Sequence, residues 1–263
     1  MEDGNFKIEI TDGVARCTMD GPTMNALGSD LLFELIDGLK EVLANEEVRV
    51  IVLRGEGGNF SVGADLSIMG EKMDPTYLNK NMNKFNEVGY ELHEGPKPVI
   101  TEVDGWAAGG GCSLAICSDM TYATERAKFY LSFVRISIIP DLGISYFLPK
   151  RIGLARAKEL ALTARVVDAE EACRIGMVNK VVDHNAIGEE VMKLATRMAT
   201  RPPDVLAMTK RNLNWSHRLD LKTMLDGEAS TQPFLAMAPE HKRDIKMFLD
   251  KSGGSGGEKS SGE

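Results

Sequence analysis

The sequence predicts an α/β fold with a helical C-terminal region. Strand-like and helix-like runs alternate along residues 5–186, which predicts right-handed βαβ units with parallel strands. In two places a glycine-containing loop, residues 55–65 and 105–113, joins a strand to a helix. Residues 187–250 are helical in pattern and contain no strand-like run. The predicted domains are therefore a core, 1–186, a helical region, 187–250, and a tail, 251–263.

Two patterns of apolar residues, strand-like alternation and helical spacing, predict the N-terminal elements. Apolar and polar residues alternate on either side of Thr11-Asp12-Gly13, which predicts a hairpin over residues 5–20. Apolar residues then recur with helical spacing over residues 30–44, and Ser29 is the expected N-cap of that helix. The apolar run 48–54 predicts a buried strand.

The same patterns predict the rest of the core. Short apolar or alternating runs predict the strands 98–103, 119–124, 128–130 and 178–182. Apolar stripes with helical spacing predict the helices 76–93, 110–117, 143–150, 154–162 and 168–174. Residues 131–141 are predicted as a loop.

The C-terminal part of the chain is predicted as four helices and a tail. The helices cover residues 187–200, 203–215, 220–236 and 239–250. Nine of the thirteen residues from Lys251 to Glu263 are glycine or serine. This composition is typical of a disordered segment.

Composition excludes several classes of function. The chain has 263 residues, of which 43% are hydrophobic, and a net charge of −8 with both signs mixed. This charge argues against nucleic acid or an anionic membrane as the main partner. No apolar run reaches the roughly 18 residues of a membrane span, and no signal peptide precedes the core. Four cysteines without a Cys-x-x-Cys pair indicate reduced thiols and a cytoplasmic protein, and four scattered histidines argue against a metal site.

The two glycine-containing loops carry the chemical signal. Gly109-Gly110-Gly111 lies where a strand meets a helix, so free amides at the helix start can hold an anion. The anion is a phosphate or a reaction oxyanion, and tight helix–sheet packing is the alternative explanation of the glycines. The spacing matches neither the dinucleotide fingerprint nor the phosphate loop. The other loop, Asn59 to Leu66, also follows a strand and contains a glycine. One amide from each loop is what a thioester or enolate oxygen requires.

Four stretches of sequence resemble those of the enoyl-CoA hydratase/isomerase family, also called the crotonase family. The resemblance covers residues 5–250, and the four stretches together are highly specific. They are Pro22 to Leu27, Phe60 to Leu66, Gly105 to Cys112, and Ile139-Pro140-Asp141-Leu142-Gly143 with the following Leu148 to Gly153.

The resemblance implies a fold, a substrate class and an assembly. The fold is a crotonase-type spiral of ββα units with a helical C-terminal trimerisation region, assembled as a homotrimer or a dimer of trimers. The substrate is an acyl-CoA thioester, and because coenzyme A is part of the substrate, no separate cofactor is expected. The thioester oxygen is expected to accept hydrogen bonds from the N–H groups of Ala64 and Gly110.

The resemblance also implies substrate contacts along the chain. The loop that contains Met24 and Ala26 lies along the CoA adenine in family members, and Phe248 and Lys251 match positions that touch CoA, often from another subunit. The substrate-binding residues expected from these matches are Met24, Ala26, Val62, Gly63, Asp65, Leu66, Ser113, Phe133, Phe248 and Lys251.

Two positions depart from the pattern of the family's hydratases. Those enzymes use two glutamates to activate water and deliver a proton. The matching positions hold Ser113 and Phe133. Neither side chain can act as a carboxylate base, so hydration by the usual mechanism is not expected.

Asp141 is the carboxylate that this chain offers instead. One interpretation is an N-cap, in which Asp141 accepts hydrogen bonds from the first amides of helix 143–150. The other comes from the resemblance, since the epoxyphenylacetyl-CoA isomerase branch places an acid/base aspartate at this point. That implies an enoyl-CoA isomerase with Asp141 as a proton shuttle. The alternatives are a hydratase or hydrolase whose Asp141 activates water, and a non-catalytic or RNA-binding member of the fold.

Overall fold

A computed structural model of the chain describes residues 5–66 and 74–253. The chain divides into two compact units between Ala207 and Met208. The strands of the described residues, all in the first unit, are β1 (Phe6–Thr11), β2 (Val14–Met19), β3 (Val50–Gly55), β4 (Val99–Val103), β5 (Trp106–Ala108), β6 (Met120–Thr124), β7 (Lys128–Tyr130), β8 (Val166–Asp168) and β9 (Lys180–Val182).

The helices of the first unit surround these strands, and the last two helices lie in the second unit. A short 3-10 helix, Ser132–Ile136, follows β7. The helical segments are α1 (Pro22–Asn25), which is a single turn with left-handed φ and ψ at Thr23 and Met24, α2 (Ser29–Ala44), α3 (Pro75–Glu94), α4 (Gly110–Ile116), α5 (Ile144–Ile152), α6 (Leu154–Thr163), α7 (Ala169–Arg174), α8 (Ile187–Ala199), α9 (Pro203–Trp215), α10 (Leu221–Met237) and α11 (Pro239–Gly253). Among the described helices, none has both the length and the apolar character that a membrane span requires.

Two sheets organise the first unit. The larger has six strands in the order β1-β2-β3-β4-β6-β9, with β1 and β2 antiparallel and every other pair parallel. The smaller has the order β5-β7-β8, with β5 parallel and β8 antiparallel to β7. The strand–helix alternation predicted the parallel pairing, and the architecture is that of an α/β protein.

Both faces of the sheet are buried at the inner strand β3, because successive residues point to opposite faces and each face packs against helices. Ile51 and Leu53 of β3 point into the main core, which α2, α3 and α4 complete. Val50 and Val52 point to the opposite face, where they pack against the apolar side of α8. The helical run that begins at residue 187 therefore starts with a helix of the first unit, rather than with a separate region.

The structure corrects several details of the sequence prediction. Helix α2 begins at Ser29, and its N-cap is Gly28, not Ser29. Strands β5 and β8 were not predicted, because each has only three residues and no alternation that distinguishes it from a loop. The predicted loop 131–141 contains the 3-10 helix. Helix α11 continues to Gly253, and the rest of the predicted disordered tail, 254–263, lies outside the described residues.

Candidate active site

The first part of the site is a left-handed turn held by one buried asparagine. Thr23, Met24 and Asn25 have φ of 53°, 57° and 57°, a conformation that costs free energy in residues with a Cβ. The Asn25 amide compensates, since its Nδ2 donates to the carbonyl oxygens of Glu56 and Asn59, both at 2.9 Å. Asn25 Oδ1 also accepts from the amide of Gly21 at 3.0 Å. This side chain therefore ties the turn to the loop after β3.

The first glycine loop runs beside this turn. Val62 N donates to Met24 O at 3.2 Å, and Leu27 N donates to Gly63 O at 2.7 Å. Leu27 O in turn accepts from Asp65 N, which makes Leu27 and Ala64 partners in a parallel bridge. Because Leu27 bonds to the residues on either side of Ala64, the N–H of Ala64 points away from Leu27.

The second glycine loop packs directly against the first. Ala108 N donates to Ser61 O at 2.9 Å, and Trp106 O accepts from Ser61 N at 3.0 Å. A Cβ on Gly111 would lie 2.2 Å from Ser61 O. A Cβ on Gly63 would lie 2.7 Å from both Ala108 O and Gly110 N. The glycines are therefore required by backbone-to-backbone contact between the two loops.

This packing leaves two backbone amides available in neighbouring loops. Gly110 opens α4, and the first amides of a helix have no acceptor within it. Gly109 before it has φ of 50°, which turns the chain into the helix. Within residues 5–66 and 74–253, neither Ala64 N nor Gly110 N donates a hydrogen bond to a protein acceptor. Two such donors can hold an oxygen that carries negative charge.

Asp141 is a carboxyl group close to Gly110, which carries one of these amides. A Cβ on Gly110 would lie 3.9 Å from Asp141 Oδ1. That oxygen is buried and has no hydrogen-bond partner among the described residues. Burial raises the pKa of Asp141 from 3.8 to about 6, and a hydrogen bond from its own backbone opposes the shift only in part.

The alternative role of Asp141 as a helix cap does not hold. Helix α5 begins at Ile144, and its N-cap is Gly143, with no side-chain cap hydrogen bond. Asp141 interacts with the helix start only through its carbonyl oxygen, which accepts from Ile144 N at 3.1 Å. The Asp141 carboxyl group therefore does not cap helix α5.

The other predicted contact residues of the first unit fall into two groups. Met24 and Leu66 are exposed, and Val62 and Asp65 are half-buried, so these residues of the two loops can meet a ligand. Ala26 is buried at 6% exposure. Asp65 Oδ2 lies near Gly28, the N-cap of α2, where a negative charge is favourable.

Ser113 and Phe133 are both buried, and their contact with a substrate remains a prediction. Ser113 is 0% exposed, and its hydroxyl donates to Gly109 O at 3.4 Å within the start of α4. Phe133 is 3% exposed and belongs to the main core. Both side chains are packed inside the protein, because one is small enough to bond to its own helix and the other is a large apolar ring.

Phe248 and Lys251 lie on α11, in the second unit. Phe248 is 73% exposed. The side chain of Lys251 lies outside the described part of the chain. Their contact with CoA remains a prediction.

Two residues of α3 belong to the site although the sequence did not single them out. Phe85 lies against Gly110, and Gly89 lies against Leu142, the residue after Asp141. The available signal was the apolar spacing of Phe85, Val88 and Leu92, which are all buried on one side of α3.

A group of possible metal ligands lies on the surface. Within the described residues, Glu125, Asp183 and His184 bring three ligand atoms within 4.8 Å of one another, and all three residues are exposed. His184 Nδ1 lies 2.6 Å from Glu125 Oε1, which explains the cluster as a hydrogen-bonded ion pair with an acidic neighbour. Nothing further marks it as a metal site.

The raised pKa of Asp141 predicts a pH-dependent stability. Between pH 3.8 and about 6 the unfolded chain loses this proton while the folded chain keeps it, so the free energy of unfolding falls as pH rises. Above about pH 6 the cost levels off at on the order of 3 kcal/mol. We expect Asp141→Asn, which carries no ionisable proton, to raise the melting temperature relative to the unchanged protein at pH 8 but not at pH 4. Thermal melts of both proteins across this range provide the measurement, and equal differences at the two pH values would contradict the assignment.

The fold and the site together define an α/β protein of the crotonase type, in which two glycine loops present backbone amides beside a buried carboxyl group. The sequence model of the family described as enoyl-CoA hydratase/isomerase matches residues 9–254. The chain belongs to the enoyl-CoA hydratase/isomerase family.

The names of relatives within this family state different activities. The chain is 33% identical to the 1,2-epoxyphenylacetyl-CoA isomerase of Escherichia coli K12, over 92% of this chain and 94% of that protein. It is 34% identical to the crotonyl-CoA hydratase of Syntrophomonas wolfei, over 94% of this chain and 95% of that protein. Among solved structures, an enoyl-CoA hydratase/isomerase from Cupriavidus metallidurans CH34 superposes with a TM-score of 0.87 at 32% identity, covering 94% of each chain. The names alone do not separate isomerase from hydratase.

Proposed function

We propose that the protein is an enoyl-CoA isomerase that moves a double bond in an unsaturated acyl-CoA by a proton shuttle through Asp141. One observation carries the proposal. Asp141 Oδ1 is a buried carboxyl oxygen without a protein partner among the described residues, and it lies close to Gly110. A carboxyl group in that situation is available to the substrate.

The reaction uses one base and one oxyanion site. Asp141 removes a proton from the carbon next to the thioester carbonyl of a 3-enoyl-CoA, and the electrons of that C–H bond delocalise into a dienolate. The N–H groups of Ala64 and Gly110 bind the enolate oxygen. Asp141 then returns the same proton two carbons away, which gives the 2-enoyl-CoA. No atom is gained or lost, and no second acid is needed.

The pKa of Asp141 suits this double role. A group that must accept and then donate a proton works best when its pKa is near the working pH. An ordinary aspartate, with a pKa near 3.8, is a weak base, whereas burial raises the pKa of Asp141 to about 6.

The family pattern also supports a proposal for how CoA is bound and how the chains assemble. The turn around Met24 and Ala26 would contact the CoA adenine, and Phe248 and Lys251 would contact CoA from the C-terminal helices. A homotrimer or dimer of trimers would cover the apolar side chains of α10, which has no buried residue in the described chain. Leu221, Phe234 and Met237 of this helix are each more than 70% exposed.

A hydratase is the second candidate. The similarity to a crotonyl-CoA hydratase is as close as that to an isomerase. In that case Asp141 would activate water, because Ser113 and Phe133 supply no carboxylate. The argument against it is that the family's hydratases use two glutamates, so Asp141 alone would have to activate the water and deliver the proton.

An assay in deuterated water separates the two candidates. The purified protein is incubated with a 3-enoyl-CoA and, as a parallel sample, with a 2-enoyl-CoA. We expect conversion of the 3-enoyl to the 2-enoyl thioester, with no hydroxyacyl product from either sample. A hydroxyacyl product at a comparable rate would overturn the isomerase proposal in favour of the hydratase.

The rate of isomerisation is expected to follow the ionisation of Asp141. Since the carboxylate form removes the proton, kcat/KM should fall as pH drops below about 6 and should be constant above it. The 3′-phosphate of CoA also titrates near pH 6, so the profile should be repeated with a thioester that lacks the nucleotide. A profile that is flat between pH 5 and pH 7 for both substrates would contradict the assignment.

A further inference from the structure

Helix α3 presents two residues to the site from one face. Phe85 and Gly89 are four positions apart, so they lie one above the other along the helix. Phe85 is 6% exposed and Gly89 is buried, which places this face against the core of the first unit.

Gly89 allows α3 to approach the turn that carries Asp141. A Cβ on Gly89 would lie 2.9 Å from Leu142 Cδ2 and 3.3 Å from Leu142 O. Leu142 follows Asp141 directly, is 2% exposed and has φ of 51°, a left-handed conformation that is strained for leucine. Strained backbone persists only where its surroundings hold it in place. The close contact with α3 supplies that support.

Phe85 and the Asp141 carboxyl group both lie close to Gly110. The point where a Cβ of Gly110 would lie is 3.4 Å from Phe85 Cε1 and 3.7 Å from its Cζ. The same point is 3.9 Å from Asp141 Oδ1. An aromatic ring here has no hydrogen-bonding group for water, and it fills space that a water molecule would otherwise occupy.

The two charged side chains of α3 nearest Phe85 in sequence are engaged elsewhere. Lys84 lies over the ring of Phe33, 5.1 Å from its centre, and Glu87 pairs with Lys40 at 3.3 Å. The residues of α3 that lie against Gly110 and Leu142 are an aromatic ring, Phe85, and a glycine, Gly89.

We infer that α3 decides the outcome of the reaction, with Gly89 as a positioning residue for Asp141 and Phe85 as the residue that keeps water from the site. This inference rests on the proposed isomerase. With the ring in place, the enolate is reprotonated on carbon. Without it, water enters beside Asp141 and adds to the 2-enoyl product, with its oxygen going to the third carbon and a proton to the second.

The role of Phe85 is tested by Phe85→Ala, with Leu92→Ala as the matched control. Leu92 is fully buried on the same helix, two turns away, so its truncation also removes core volume. We expect Phe85→Ala to form hydroxyacyl-CoA with label from ¹⁸O-water in the hydroxyl group, and so to raise the ratio of hydroxyacyl-CoA to isomer above the zero expected of the unchanged protein. Leu92→Ala should lower the melting temperature and leave this ratio unchanged. An unchanged ratio in Phe85→Ala would overturn the assignment.

The role of Gly89 is tested by Gly89→Ala, with Gly227→Ala as the control. Gly227 is also a helical glycine, but nothing lies within 4 Å of its Cβ position. We expect Gly89→Ala to lower kcat about tenfold with little change in KM, since the substitution displaces the general base rather than the binding site. The double variant Gly89→Ala/Leu142→Ala, which removes the contacting methyl group, should recover part of kcat. A wild-type kcat in Gly89→Ala, or no recovery in the double variant, would overturn the positioning role.

Failure of this inference is distinguishable from failure of the proposed function. If Asp141→Asn retains full activity, the proton shuttle itself is wrong. If Asp141→Asn is inactive while Phe85→Ala keeps the product ratio and Gly89→Ala keeps kcat, only the role of α3 is wrong. Because Phe85→Ala leaves the backbone unchanged, it remains informative if Gly89→Ala does not fold.

Discussion

Replacing Asp141 by asparagine is expected to lower kcat for isomerisation by about 10²–10⁴-fold, the usual contribution of a general acid–base group. Asparagine has nearly the same shape but cannot accept a proton from carbon at neutral pH. The carboxyl oxygen that it replaces has no protein partner among the described residues, so no internal hydrogen bond of the fold is lost. KM should change little, because the amides of Ala64 and Gly110 still bind the thioester oxygen.

Asp168→Asn is the matched control for this experiment. Asp168 is an exposed N-cap of α7 and accepts from Glu171 N at 2.8 Å. Asparagine caps helices about as well as aspartate, so this variant should keep both its stability and its activity. Activity within threefold of the unchanged protein in Asp141→Asn would show that another group moves the proton.

Replacing Gly63 by alanine is expected to lower kcat by about 10²–10³-fold, the usual effect of losing one oxyanion donor. Gly63 has φ of 80°, and a Cβ there would lie 2.7 Å from Gly110 N and from Ala108 O. These are backbone atoms, so the added methyl group must push the two glycine loops apart. The amides of Ala64 and Gly110 would then no longer converge on one oxygen.

Gly57→Ala separates this collision from simple backbone strain. Gly57 has φ of 70°, close to that of Gly63, but nothing lies within 4 Å of its Cβ position. Both variants should lose some stability, because alanine is disfavoured at positive φ. Only Gly63→Ala should lose kcat, as measured by steady-state kinetics beside thermal melts. Equal kinetic losses in the two variants would mean that strain, and not the contact between the loops, explains the glycine.

The glycine loops illustrate what could be predicted from the sequence. Glycines at a strand-to-helix junction indicate a local backbone conformation that other residues rarely adopt, and this can be recognised from a few adjacent residues. The sequence could therefore place the amides near Gly63 and Gly110 on two similar loops. The pairing of those loops, through Ser61 and Ala108, required the structure.

Other features of the site depend on contacts between distant segments. The packing of Phe85 over Gly110 joins residues far apart in the chain, and no local pattern distinguishes this phenylalanine from an ordinary core residue. The substrate contacts expected of Ser113 and Phe133 remain predictions from the family pattern, because a position in the sequence does not determine which way a side chain points. For Asp141, the local pattern favoured a helix cap, and that role was excluded only once the structure showed Gly143 at the start of α5.

The origin of the anion-binding groups has a consequence for how such a protein evolves. The proposed donors at Ala64 and Gly110 are backbone amides, which no side-chain replacement other than proline deletes, whereas the proposed proton carrier is one side chain at position 141. Mutation can therefore exchange the acid–base chemistry while the capacity to stabilise an enolate is inherited unchanged. A lineage built in this way can change its reaction in single steps without passing through an inert intermediate. Two relatives of nearly equal identity, one named an isomerase and one a hydratase, are what such a history would leave.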